Sequence, residues 1–180
     1  MTESASTQEI ERKFLVDPGT LPFQLETWPA SFIAQGYLAV NENSAREVRL
    51  RNRDGQYTLT VKTGSGSVRE EGEVALSEAQ FRTLWPYTGG QRIEKTRHEI
   101  ALEQLTAELD VYGGRHQGLA VVEVEFPSEA TALAFEPPDW FGDEVTDNAA
   151  YRNQQLAIQA PRSAGARAPA PSTEKRSRPR

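Results

Sequence analysis

Charged residues recur two apart along this sequence, with mostly apolar residues between them, in one extended segment after another. A β-strand projects successive side chains to opposite faces. In residues 9–16 (EIERKFLV) that geometry puts Glu9, Glu11 and Lys13 on one face and Ile10, Arg12 and Phe14 on the other. Residues 46–53 (REVRLRNR) set Glu47, Arg49, Arg51 and Arg53 against Val48 and Leu50. Residues 56–63 place Thr58, Thr60 and Lys62 opposite Tyr57, Leu59 and Val61, and residues 68–76 align Arg69, Glu71 and Glu73. Residues 91–102 share Ile93, Lys95, Arg97 and Glu99 on one face. Residues 105–112 oppose Thr106, Glu108 and Asp110 to Ala107, Leu109 and Val111, and residues 119–126 oppose Glu123 and Glu125 to Val122, Val124 and Phe126.

With the β-branched and aromatic segment 31–40 (SFIAQGYLAV), these make about eight strands. Strands and helices do not alternate, so an antiparallel sheet is expected. Asp54-Gly55 and Gly113-Gly114 supply turns, and Gly64-Ser65-Gly66-Ser67 reads as a hairpin loop; a phosphate cradle would need a helix behind it. Ser77 followed by Gln80 forms a capping-box signature for a short helix through Phe81, Leu84 and Trp85. A second helix is expected over 128–135 and a terminal one from Thr146 or Asp147 to Gln159, while residues 21–28 fit either a helical turn or an irregular crossing. An open sheet would leave the charged face in water. A closed one, with helices covering the apolar face outside, would turn that face inward and line a tunnel. The expected class is therefore α+β dominated by β, an eight-stranded antiparallel barrel with helices packed outside.

Crowding acids and bases into a partly desolvated space costs several kcal/mol each unless they are paired or ligated. Such a lining makes physical sense as a site in which Arg and Lys hold a compact polyanion and carboxylates hold divalent cations. The sequence contains no cysteine and only His98 and His116, so a metal here would be hard and oxygen-liganded, Mg²⁺ or Mn²⁺. With 180 residues, 37% of them hydrophobic, one domain over 1–160 is expected. Residues 161–180 carry Arg162, Arg167, Lys175, Arg176, Arg178 and Arg180 against Glu174, a charge of +5 that leaves −11 on the rest of a chain of net −6. Rich in Pro, Ala, Ser and Arg, this tail reads as disordered, a solubilising extension in preference to an arm for nucleic acid. No apolar run approaches the length of a membrane span, and residues 1–8 are small and polar; a cytoplasmic protein is expected.

Glu9-Ile10-Glu11-Arg12-Lys13 resembles the ExExK signature of the triphosphate tunnel metalloenzymes, the CYTH superfamily. The resemblance continues through Glu47-Val48-Arg49-Leu50-Arg51, Thr60-Val61-Lys62, Arg69-Glu70-Glu71-Gly72-Glu73, Glu94-Lys95-Thr96-Arg97, Glu108-Leu109-Asp110 and Val122-Glu123-Val124-Glu125. It implies metal ligation by Glu9, Glu11, Glu123 and Glu125, supported by Glu71, Glu73 and Asp110. It implies a triphosphate clamp of Lys13, Arg49, Arg51, Lys62, Lys95 and Arg97. Lys95 is the candidate for positioning or deprotonating the attacking water, with a carboxylate beside a second metal as the alternative; Lys95, Glu11 and Glu123 are the candidate catalytic residues. Tyr151-Arg152-Asn153 resembles the family's YxN ending, on a helix that closes the tunnel or simply buries a tyrosine.

The superfamily holds inorganic, thiamine and RNA triphosphatases and a class of adenylyl cyclases, and a shared clamp does not choose among them. The chain most resembles the short bacterial inorganic triphosphatases, which implies hydrolysis of triphosphate to pyrophosphate and phosphate. A thiamine or nucleoside triphosphatase and a cyclase are the rivals within the family. From another class comes a polyphosphate-binding module, which would keep the cations but have no use for the metal-facing glutamates.

Overall fold

The computed structural model describes residues 10–41, 46–65 and 68–158. One antiparallel sheet contains β1 (Ile10–Leu15), β2 (Ala30–Asn41), β3 (Arg46–Arg53), β4 (Gln56–Ser65), β5 (Val68–Leu76), β6 (Arg92–Leu102), β7 (Leu105–Tyr112) and β8 (Ala120–Phe126). Their spatial order is β1-β8-β7-β6-β2-β3-β4-β5. Consecutive strands are joined by hairpins except where β1 leaves its neighbour through two 3-10 turns, Pro18–Thr20 and Leu25–Thr27, and where α1 (Glu78–Leu84) links β5 to β6. The segment 21–28 is therefore an irregular crossing that contains one short turn.

The two ends of the order, β1 and β5, are not hydrogen-bonded to each other among the described residues, so the expected closed barrel is an open ladder at this seam. The reason lies on β1. Its free edge is taken by residues 142–146: Leu15 N–H donates to Asp143 O at 2.9 Å, Gly142 N–H to Leu15 O at 2.8 Å, and Val145 N–H to Lys13 O at 2.8 Å. Gly142 permits this approach, since a Cβ there would lie 2.9 Å from Leu15 O. An edge so occupied is satisfied and unavailable to another strand.

The alternation sorts the two faces as expected. Phe14, Ile100, Leu109, Val122, Val124 and Phe126 form a buried core on the outer side, covered by Ala132 of α2 (Glu129–Ala134) and by Phe141. Farther round the outside, Phe81 of α1 packs between Tyr57 and Trp85, and the Ser77–Gln80 capping box is formed. Along the inner face, charge gives way to apolar residues toward one end: Tyr37, Ile93, Tyr112 and Val121 form a second buried cluster. Leu156 and Ala157 of α3 (Asn153–Ile158), with Tyr151, sit on that cluster.

The terminal helix is shorter than expected. Residues 146–152 make a bend and a 3-10 turn, Ala149–Tyr151, capped by Asn148 Oδ1 accepting from Ala150 N–H at 3.1 Å, and α3 begins only at Asn153. Thr146, bonded to β1, is not free to join a helix. Glu9, the Gly66-Ser67 turn, and the expected domain boundary and basic tail lie outside the described residues, as does the side chain of Arg69. No helix among the described residues is long and apolar enough to cross a membrane.

Candidate active site

All eight strands contribute to a cavity of about 860 Å³, and α3 with the turn before it covers one side. Period-two alternation aims the side chains: Glu11 and Lys13 come from β1, Arg49 and Arg51 from β3, Lys62 from β4, Glu71 from β5, Lys95 and Arg97 from β6, and Glu123 and Glu125 from β8. Each of these was expected in the site. Two expected residues are absent from the lining. Glu73 is exposed and accepts from Thr60 Oγ1 at 2.8 Å. Asp110 is fully buried beneath Lys95 and Arg97.

Register places the acids side by side. Glu11 faces Glu125 across β1 and β8, Lys13 faces Glu123, and Glu108 faces Glu123 across β7 and β8. Lys13 Nζ lies 2.7 Å from Glu123 and 3.9 Å from Glu11. Arg97 grips Asp110 through two 2.7 Å hydrogen bonds, donates to Glu123 at 3.2 Å, and pairs with Glu108. Lys95 pairs with Asp110. On the opposite wall Lys62 lies 2.8 Å from Glu71, which is also 3.9 Å from Arg49.

Burial sets the charge states. Desolvation pulls the Lys95 ammonium below its ordinary value, with Arg97 reinforcing the effect and Asp110 opposing it. The same desolvation would raise Asp110 and Glu123. The adjoining cations outweigh it, chiefly Lys95 and Arg97 for Asp110 and Lys13 and Lys95 for Glu123, so both carboxyls lie below their usual range. Arg51 is lowered by burial and by Arg49 beside it. The Nε atoms of Arg49 and Arg51 are buried with no hydrogen-bond partner, and Arg51 makes no ion pair within 4 Å among the described residues. A partly buried guanidinium in that condition can take an anion as its partner.

The clustered carboxylates Glu11, Glu108, Glu123 and Glu125 offer only oxygen donors, which suits a hard divalent cation. Among the described residues Glu11, Glu108 and Glu123 are engaged with cations, and no three acids or histidines converge on one point. The donor chemistry fits Mg²⁺ or Mn²⁺, with Lys13 and Arg97 as the groups an arriving ion would displace.

The cavity also takes in residues to which the sequence assigned no role there, and part of the Tyr151-Arg152-Asn153 stretch that it did single out. Gln35 and Tyr37 of β2 line the cavity, with Gln35 Nε2 donating to the Tyr37 hydroxyl at 2.5 Å. The polar Gln35 within an apolar run was the available signal. Burial pushes the Tyr37 phenol well above its ordinary value, so it stays neutral. Glu108 was placed on the inward face without a role, and Arg152, Asn153, Gln154 and Gln155 also line the cavity. Tyr151 is itself buried, and Asn153 Oδ1 accepts from the Tyr112 hydroxyl at 2.6 Å.

Residues 7–148 match the family model described as the CYTH domain. The chain is 45% identical over 155 residues to an inorganic triphosphatase of Nitrosomonas europaea, covering 85% of this chain and 99% of that one. It is 32% identical over 151 residues to an inorganic triphosphatase of Acetivibrio thermocellus, covering 83% and 92% respectively. Among solved structures, the inorganic triphosphatase NE1496 superposes with a TM-score of 0.69 at 42% identity, over 86% of this chain and 97% of that one. A putative adenylate cyclase from Bacillus halodurans shares the fold, with a TM-score of 0.53 at 21% identity over 69% and 83%.

Proposed function

The chain belongs to the CYTH domain family, and from that premise we propose that it hydrolyses inorganic triphosphate to pyrophosphate and orthophosphate, with Mg²⁺ or Mn²⁺. The observation that carries this reading is Arg51, which makes no ion pair within 4 Å among the described residues and stands beside Arg49 on one wall, with carboxylates on the other. A short phosphate chain with a divalent cation is the ligand that satisfies both walls at once. The relatives named inorganic triphosphatase, matched over nearly their whole length, support the same choice.

In this reading Lys13, Arg49, Arg51, Lys62, Lys95 and Arg97 hold the non-bridging phosphate oxygens. Glu11, Glu123 and Glu125 hold the cation, with Glu9 and Glu71 assisting. Asp110 is assigned to the clamp instead: buried and out of contact with the open space, it fixes Lys95 and Arg97. Glu73 is left at the periphery, on Thr60. When bound, the cation neutralises charge on the triphosphate oxygens as a Lewis acid. Water attacks the terminal phosphorus, the bond from that phosphorus to its bridging oxygen breaks, and pyrophosphate leaves with the bridging oxygen. Lys95, whose ammonium burial disfavours, orients the water and takes its proton. Catalysis otherwise consists of positioning and charge neutralisation.

Nucleoside or thiamine triphosphates need a surface for an organic ring. Among the described residues Tyr37 is the one aromatic side chain lining the cavity, and at 1% exposure it offers no face for stacking. The cysteine-free sequence supports a cytoplasmic setting. Turnover of tripolyphosphate, ATP and thiamine triphosphate with each metal tests the proposal. Preferred release of phosphate from tripolyphosphate is expected; preference for ATP with cyclic AMP as product would reject it.

A further inference from the structure

Arg12 is the one charged side chain of β1 that points away from the cavity, yet it is tied to it. Its guanidinium grips Glu144 through a fork, Nε to Oε1 at 2.9 Å and Nη2 to Oε2 at 2.7 Å. Nη1 donates to the carbonyls of Ala132 at 3.0 Å and Phe135 at 2.9 Å, at the end of α2. Glu144 also accepts from Thr146 Oγ1 at 2.8 Å, and that oxygen accepts from the Lys13 N–H at 3.0 Å. The connections form a ring around β1, from Lys13 backbone to Thr146, Glu144 and Arg12. Thr146 reaches the cavity wall, and the chain beyond it brings Arg152 and Gln155 to the same space. At its far end this segment is held by Tyr112 on Asn153 and by His116 Nε2, 2.7 Å from Leu156 O.

We propose that Arg12 and Glu144 are positioning residues for the triphosphate: the fork fixes where the segment 144–155 meets the cavity and so places the Arg152 guanidinium against the substrate. This rests on the hydrolase reading above. Packing on Phe14 and Phe135 would be served by an apolar side chain; a bidentate Arg–carboxylate pair adds a fixed geometry. Arg12 therefore acts on binding from the outer face of the strand whose inner face carries Glu11 and Lys13.

The test uses the full chain with Arg12→Gln, Glu144→Gln, Arg152→Ala and the Arg12→Gln/Arg152→Ala double variant. Each single variant is expected to raise KM for tripolyphosphate about fivefold with kcat within about twofold, the signature of lost ground-state binding. The double variant is expected to match Arg152→Ala alone, because Arg12 acts through that residue. Hydrogen exchange over residues 147–158, measured without substrate, should quicken in Arg12→Gln and in Glu144→Gln. A lowered melting temperature with unchanged KM, additive effects in the double variant, or unaltered exchange would overturn the inference. Absence of triphosphate turnover in the unsubstituted protein would reject the hydrolase reading instead, and the exchange measurement would still decide whether the fork holds the segment.

Discussion

Arg51 and Lys95 line one cavity from the two strands that flank β2, and their environments differ. Arg51 makes no ion pair within 4 Å among the described residues and is proposed to bind the triphosphate; replacing it with Gln should raise KM for tripolyphosphate about tenfold, the scale of a charge-assisted hydrogen bond. Lys95 is buried, its ammonium disfavoured by desolvation. Lys95→Met should lower kcat by about 10² to 10⁴, the range for general acid–base groups. As the proposed proton acceptor, Lys95 must shed its proton to act, so the rate should climb as pH rises through its lowered value. Asp110 and Glu123 carry the acid sensitivity. Both have folded values below the usual carboxylate range, so their contribution to stability is complete above that range and is lost as pH falls through the folded values. Melting temperature should drop steeply below about pH 4, and Asp110→Asn should flatten that limb while lowering stability at neutral pH. The inward placement of Lys13, Arg49, Arg51, Lys62, Lys95 and Arg97 was legible in the sequence because a period of two is visible in letters. Asp110 was not legible as a buried counter-ion, because alternation gives its face but not its depth.

Each strand was recoverable from its own residues, because a half-buried strand records both faces in its pattern. The short elements at the chain's end were not, because their conformation depends on partners far away in sequence. Residues 146–152 have helix-compatible composition, yet Thr146 is bonded to Lys13 and Asn148 caps a 3-10 turn. The seat of α3 is apolar: Leu156 is wholly buried among Tyr37, Ile93, Tyr112 and Val121. Leu156→Ala should cost about 2 to 5 kcal/mol, as core truncations do, read from denaturant midpoints at constant m-value. Ser77→Ala, which removes a cap far from the cavity, should cost about 1 kcal/mol and leave KM unaltered.

For the molecule as a whole, the sheet wraps its charged side around a cavity while helices and loops cover the apolar side of β1, β7 and β8, and this sidedness could be read from alternation alone. The open seam between β1 and β5 could not, since it depends on residues 142–146 claiming the β1 edge. The basic extension of residues 161–180 is proposed as a solubilising tail, and its removal should leave kcat and KM within about twofold; a larger loss would give it a part in the site. What the cavity does to a phosphate chain decides the function. Phosphorus NMR of tripolyphosphate mixed with the protein and Mg²⁺ or Mn²⁺ answers that directly. Pyrophosphate and orthophosphate growing in together in equal amounts is the predicted spectrum; tripolyphosphate resonances that persist undiminished with both metals would contradict it.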